Sequence, residues 1–267
     1  MLVCMFLGFA SGLPLFFLIQ LIQAWLKDAD VGLTEIGLFS LAQLPYTWKF
    51  IWSPLAERYS LPWLGRRRGW MLVTQVVLVL LMASLGLLDP AMSLWLVFGV
   101  ALLLAFASAS QDIVIDAYRR ELLVSDEELA LGNSLHVQVY RIAGFIPGSL
   151  GLILADGYLP WSGVFFVMAA FMCIGIVTTL VIREVVTHPQ IPPTLKQAVV
   201  EPFREYFGRR GWQFAVLMLL FLFAYKLGDS MATALSTTFY LELGFSMTEI
   251  GIVAKNAGFW PAIFGGI

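Results

Sequence analysis

The sequence predicts an all-α membrane protein, and three observations carry that reading. Apolar residues make up 60% and charged residues only 13% of the 267 residues, with a mean hydropathy of +0.84, whereas a water-soluble domain carries about a quarter charged residues. The apolar residues fall into runs of roughly 20, the length that crosses a bilayer. Lysine and arginine gather in alternate connections between those runs, the signature of a chain that crosses repeatedly.

Taken in order, membrane helices are predicted near residues 1–26, 34–56, 70–88, 94–118, 130–155, 161–182 and 213–240, with an eighth starting near Met247 and reaching Ile267. The connections 57–69, 119–129 and 183–212 hold Arg58, Arg66, Arg67, Arg68, Arg119, Arg120, Arg183, Lys196, Arg204, Arg209 and Arg210, while the opposite side holds only Lys27. The positive-inside rule therefore puts these connections and the amino terminus in the cytoplasm. The third connection is the longest and contains Pro189, Pro192 and Pro193. It reads as a linker with a short amphipathic surface helix from Leu195 to Phe207. The resulting division is a six-helix bundle over 1–182, a cytoplasmic linker over 183–212 and the start of a second bundle over 213–267. No secretory signal pattern is visible, since the chain begins within an apolar run and has no basic residue before Lys27.

Six helices, a linker and further helices suggest a transporter of two related halves, and such folds carry internal repeats. Thr34, Glu35, Ile36 and Gly37 recur as Thr248, Glu249, Ile250 and Gly251. Both copies stand where an outer connection enters a helix, with Thr placed to cap and Glu in the first turn.

Ionisable residues inside predicted spans mark candidate sites, because hydrocarbon penalises them unless they are partnered. Asp112 and Asp116 are four apart and share one face of helix 4. Lys49 and Asp112 lie at similar depths on two inward-running helices, so they are expected partners. Asp112 is then either one half of a fixed pair or a proton carrier. Asp116, closer to the cytoplasmic surface, is expected to pair with the arginines after helix 2, as a static tie or as a gate contact. Arg141 near mid-membrane is a candidate anchor for a ligand carboxylate, or a partner for a neighbouring helix. Lys226 and Asp229, three apart on helix 7, are expected to face each other. Gln43, Tyr46, Gln111 and Tyr140 are candidate contacts for a polar ligand, though such residues also join helices.

Other residues have architectural readings. Gly8, Gly12 and Pro14, and Gly144, Pro147, Gly148 and Gly151, permit close helix contact and kinks. Trp25, Trp70, Trp95 and Trp161 stand at helix ends, where an aromatic belt is expected. Cys4 and Cys173 read as small buried hydrophobes, and His136 and His188 are too far apart to suggest a metal site. No nucleophile elbow, metal motif or phosphate loop accompanies the carboxylates, so an enzyme is not expected.

The connection Ser53 to Trp70, SPLAERYSLPWLGRRRGW, resembles the loop between helices 2 and 3 of the major facilitator superfamily, with Glu57, Arg58, Gly65, Arg66, Arg67 and Arg68 in the places of its acid, base, glycine and arginines. Within that superfamily the stretches LGFASGLP, KFIWSPL, GRRRGW, SASQDIVIDA and YKLGDS, spread in order from Leu7 to Ser230, resemble the AmpG family of muropeptide permeases. The resemblance implies a major facilitator-like six-helix bundle followed by helix 7 and the start of helix 8. It also implies proton-driven uptake of anhydro-muropeptides, sugar-peptide fragments of wall turnover, across a bacterial inner membrane. The proton gradient would be the only cofactor, and the protein a monomer when full length, with no nucleic-acid partner. In that frame Asp112 and Lys49 couple protons, and Glu57 to Arg68 with Asp116 form a cytoplasmic gate. Family members carry a full second half, so the 267 residues read as a fragment that should not transport alone. The alternatives are an acetyl-CoA or other small-molecule carrier of a related branch, or a membrane sensor.

Overall fold

The computed structural model describes residues 1–54, 64–185, 204–209, 211–254, 256, 257, 260 and 261, with the backbone alone at 223 and 226–235. Among the described residues all regular structure is helical. Among the described residues five helices are long and apolar enough to cross a membrane: α1 Leu2–Asp28, α3 Arg66–Leu85, α4 Leu94–Leu122, α5 Asp126–Ala155 and α6 Trp161–Val181. The second predicted helix, α2, is broken into Leu33–Phe39, a 3-10 turn Ser40–Gln43, Leu44–Trp48 and a second 3-10 turn Lys49–Ile51. Pro45 accounts for the first interruption, because it has no N–H to give the Leu41 carbonyl and its ring crowds that carbonyl. The chain continues through α7 Trp212–Glu242 and α8, made of Met247–Glu249 and the π turn Ile250–Ala254.

Several boundaries differ from expectation for local reasons. Helix α5 starts at Asp126 rather than near 130, since Ser125 and Glu128 form a reciprocal capping box. In the repeated motif the cap of α8 is Ser246, bonded to the Glu249 N–H, and the cap position of α2 is Gly32. Thr34 and Thr248 thus stand inside the first turn rather than capping it. Of the amphipathic helix expected at Leu195 to Phe207, residues 204–207 belong to a helical stretch over 204–209, and 195–203 lie outside the described residues.

Two apolar clusters fill the bundle. One gathers Phe17, Trp25, Met82, Val97 and Phe165 toward the end away from the arginines, with Trp25 and Phe165 edge-to-face at 4.8 Å. The other gathers Leu7, Met71, Ile115, Tyr118 and Ile182 at the arginine-rich end. Between them lies a layer of buried polar residues, Ser11, Gln75, Ser108, Gln111 and Asp112. Trp25 is 4% exposed against 80% for Trp95, so Trp25 belongs to the core and not to an aromatic belt. Cys173 is exposed on the outer face of α6, unlike buried Cys4.

Helix α1 is the centre of the bundle, touching α4, α5 and α6. Lipid tails are as apolar as leucine, so close backbone approach and polar contacts hold membrane helices together. Gly8 and Gly12 supply that approach: a Cβ on either would stand 2.5 or 2.4 Å from the carbonyl oxygen of His136 or Tyr140 on α5. Further along, the π turn Phe17–Leu21 of α1 packs against the π turn Ile146–Gly151 of α5, which in turn touches Ile250–Ala254 of α8.

Candidate functional site

Asp112 lies in the polar layer and is fixed from two directions. The Ser11 hydroxyl of α1 donates to Oδ1 at 2.5 Å, and Lys49 Nζ of α2 stands 3.6 Å from Oδ2. Ser11 reaches it because α1 and α4 run in opposite directions with their polar residues at one depth. Ser11 is nine residues from the start of α1 and Asp112 ten from the end of α4, about 14 and 15 Å along their axes. A carboxylate removed from water needs such partners to remain charged. The lysine side chain is 34% exposed, so the pair opens on one side to a wetter space and is weaker than a fully enclosed one.

Tyr46 of α2 and Tyr140 of α5 lie within electrostatic reach of Asp112. The hydroxyls of Tyr46 and Ser108 are buried close to each other, short of hydrogen-bond geometry. The structure therefore gathers Asp112, Lys49, Tyr46 and Tyr140, four of the residues singled out in the sequence, and adds Ser11 and Ser108. Nearby, the Trp52 indole N–H donates to Ser110 at 3.1 Å and its ring lies 4.7 Å from that of Phe106, securing α2 to α4 just beyond Lys49.

Gln111 has a different environment from its neighbour. It is fully buried, and its Nε2 donates to the Ala10 carbonyl oxygen at 3.1 Å. Pro14 explains this contact: four residues after Ala10, it has no N–H to donate, so α1 leaves that carbonyl without its helical partner. Unsatisfied backbone groups are costly in hydrocarbon, and the Gln111 carboxamide meets this one. Gln43 lies half-buried on the Ser40–Gln43 turn. Arg141 follows Tyr140 on α5 but is exposed. Lys226 and Asp229 are on α7, and their side chains lie outside the described residues, as do Glu57 and Arg58.

At the arginine-rich end the partners differ from those expected. Asp116 pairs with Arg119 of its own helix at 2.9 Å and makes no ion pair with Arg66, Arg67 or Arg68, while Arg58 lies outside the described residues. Arg66, Arg67 and Arg68 meet Glu121 and Glu184 instead. Arg66 and Arg67 both reach Glu121 Oε1 at 2.6 Å, and Glu184 accepts the backbone N–H groups of Arg67 and Arg68 at 2.8 and 3.0 Å. Glu184 thereby caps α3, whose helix dipole favours an acid there. Gly65 is required at this cap: its φ is +93°, and a Cβ would lie 2.7 Å from Glu184 Cδ. Asp116 is displaced by distance along its helix, because Glu121 lies more than a turn closer to the end where α3 begins. The signal for Glu121 and Glu184 was present in the sequence as acids flanking the arginine-bearing connections.

Among the described residues no group of three or more His, Cys, Asp or Glu side chains is placed to hold a metal ion. The family model described as Major Facilitator Superfamily matches residues 2–267. The chain is 48% identical over 269 residues to an uncharacterized protein of Haemophilus influenzae, covering 100% of this chain and 63% of that protein. It is 42% identical over 266 residues to the anhydromuropeptide permease of Escherichia coli K12, covering 99% of this chain and 53% of that protein. The chain thus spans between half and two-thirds of the length of these relatives. A match along the whole chain, coupled with an all-helical fold of membrane-spanning length, makes this chain a member of the Major Facilitator Superfamily.

Proposed function

We propose that the protein carrying this chain is a proton-coupled importer of anhydro-muropeptides, embedded in a bacterial inner membrane with its arginine-rich end in the cytoplasm. The substrate class comes from the Escherichia coli relative, named an anhydromuropeptide permease. The coupling rests on one observation: a carboxylate buried in a membrane span, shared between a serine hydroxyl and a partly exposed lysine. In this reading residues 1–182 form one bundle, 213–267 begin the other, and the two rock about the Asp112 layer.

The chemistry follows from charge balance. With Asp112 ionised, Lys49 is neutralised by it and held inside the bundle. Proton uptake by Asp112 removes that attraction and leaves Lys49 a cation with an exposed flank. A substrate carboxylate then takes the place of Asp112 beside the ammonium, while Tyr46 and Tyr140 offer hydroxyls and ring faces to sugar and peptide. Arg141, Lys226, Asp229 and Gln43 are further candidates for substrate contact. Proton loss toward the cytoplasm restores the Asp112–Lys49 pair and displaces the carboxylate. Arg66, Arg67, Arg68 and Gly65 fasten the cytoplasmic ends of α3, α4 and α6, while Glu57, Arg58 and Asp116 remain candidates for a gate.

The deciding experiment follows labelled anhydro-muropeptide into vesicles carrying the complete protein under an imposed pH gradient. Asp112→Asn is expected to abolish gradient-driven accumulation while leaving equilibrium exchange of substrate measurable. Accumulation in that variant with the wild-type pH dependence would remove Asp112 from the coupling step.

A further inference from the structure

A groove of about 520 Å³ runs down the outside of the bundle between α1 and α6, apart from the Asp112 site. Its walls are Leu2, Val3 and Phe6 on one side and Ala170, Cys173 and Val177 on the other. The small side chains of Ala170 and Cys173 leave the space open. The polar lining residue Thr178 turns its hydroxyl back to the Ile174 carbonyl at 2.7 Å. A water-soluble ligand would find no free hydroxyl there, whereas a hydrocarbon chain loses nothing on entering. From Val181 to Ala170 the groove follows α6 for about 16 Å, close to the ~15 Å of hydrocarbon in one leaflet.

The groove ends where basic residues begin. Arg183 is exposed directly after the lining residue Ile182, and the Tyr118 hydroxyl fixes its backbone by donating to its carbonyl at 2.7 Å. Arg68 sets its guanidinium on the Thr179 and Leu180 carbonyls at 3.0 and 2.9 Å, at the same end of α6. An exposed arginine therefore follows directly on the mouth of an apolar trough one leaflet deep, with Arg68 held on the same end of α6. In the orientation proposed above, this mouth is at the level of the cytoplasmic lipid phosphates. The geometry points to a binding site for an anionic phospholipid, with one acyl chain in the α1–α6 groove and its headgroup at Arg183. Basic residues beside membrane helices on that side attract anionic headgroups, and a guanidinium matches a phosphate in bidentate fashion.

Native mass spectrometry of the detergent-purified protein, offered equal amounts of phosphatidylglycerol and phosphatidylcholine, tests the site. Wild type is expected to retain phosphatidylglycerol in about fivefold preference, the magnitude for one arginine near an anionic surface. Arg183→Gln should erase the preference while still retaining lipid, and Ala170→Phe or Cys173→Phe, which fill the groove from a lipid-facing surface, should lose both adducts. Equal retention of the two lipids by wild type overturns the proposal, as does undiminished phosphatidylglycerol binding in Arg183→Gln and Ala170→Phe. Retention of neither lipid also overturns it, and would leave another stretch of the polypeptide as the occupant. Uptake does not enter the measurement, so the outcome is separate from that of the transport experiment.

Discussion

The contact of Gln111 with Ala10 shows how one missing N–H on α1 determines a side chain on α4. Because Pro14 leaves the Ala10 carbonyl unbonded, Gln111→Leu should cost about 1–2 kcal/mol, the penalty for an orphaned buried acceptor. In a Pro14→Ala background, where the helix supplies its own donor, the same substitution should cost far less. Thermal unfolding of the four proteins in detergent gives the coupling, and additive effects would refute the account. The neighbouring Asp112 and Lys49 were legible as partners because helix rise fixes depth. Ser11 was missed although the same arithmetic reaches it. Hydroxyls in apolar runs commonly bond back to their own helix, as Ser84, Ser110 and Thr178 do here. Depth arithmetic cannot tell a hydroxyl spent in that way from one that reaches another helix. For Asp116 depth arithmetic pointed to the arginines after helix 2 and passed over a nearer one: an acid three residues from an arginine on the same helix has a local partner, as Arg119 is here.

Helices α1, α3, α4, α5 and α6 were legible because spans of this length leave few alternatives in hydrocarbon. The interruptions of α2 were not placed, since Pro45 marks where a hydrogen bond is lost but not how the chain rebuilds around it. Glycine carried more information. Gly8 and Gly12 were read as a close contact, and the structure supplies its other surface in the α5 backbone at His136 and Tyr140. Gly8→Leu should therefore lower thermal stability by at least 1–3 kcal/mol, the usual range for overpacking, because the obstacle is backbone. Gly99, where a Cβ would meet nothing within 4 Å, is the matched control, and Gly99→Ala should be neutral or slightly stabilising. Equal melting of the two variants would contradict the packing described for α1.

For the molecule as a whole, a salt bridge and a hydrogen bond tie the first six helices to α7 and α8 at the end away from the arginines. Lys27 Nζ meets Glu242 Oε1 at 3.0 Å, and the Asp156 carboxylate accepts the Thr248 N–H at 3.0 Å. Lys27 and Glu242 are partly exposed, so their attraction is worth at most about 1 kcal/mol. A rocking mechanism calls for a tie of that strength, firm enough to bias closure and weak enough to release. Lys27→Glu should loosen this end and speed labelling of a cysteine placed at Tyr46, in a background without Cys4 and Cys173, by a membrane-impermeant thiol reagent added outside. The charge-swapped pair Lys27→Glu with Glu242→Lys should restore the slow rate; labelling that stays fast in the swapped protein would exclude the tie as the cause. The three π turns that meet at α1, α5 and α8 bear on ancestry. Each loops one residue more than an α turn, and those of α1 and α5 have α-helix on both sides. Losing one residue there returns the turn to α form and leaves both flanks facing as before. Elsewhere in a span, such a loss would swing everything beyond it by about 100°. Single-residue gaps between diverged relatives should therefore collect at 17–21 and 146–151, making these turns the places where the membrane helices can change length without changing partners.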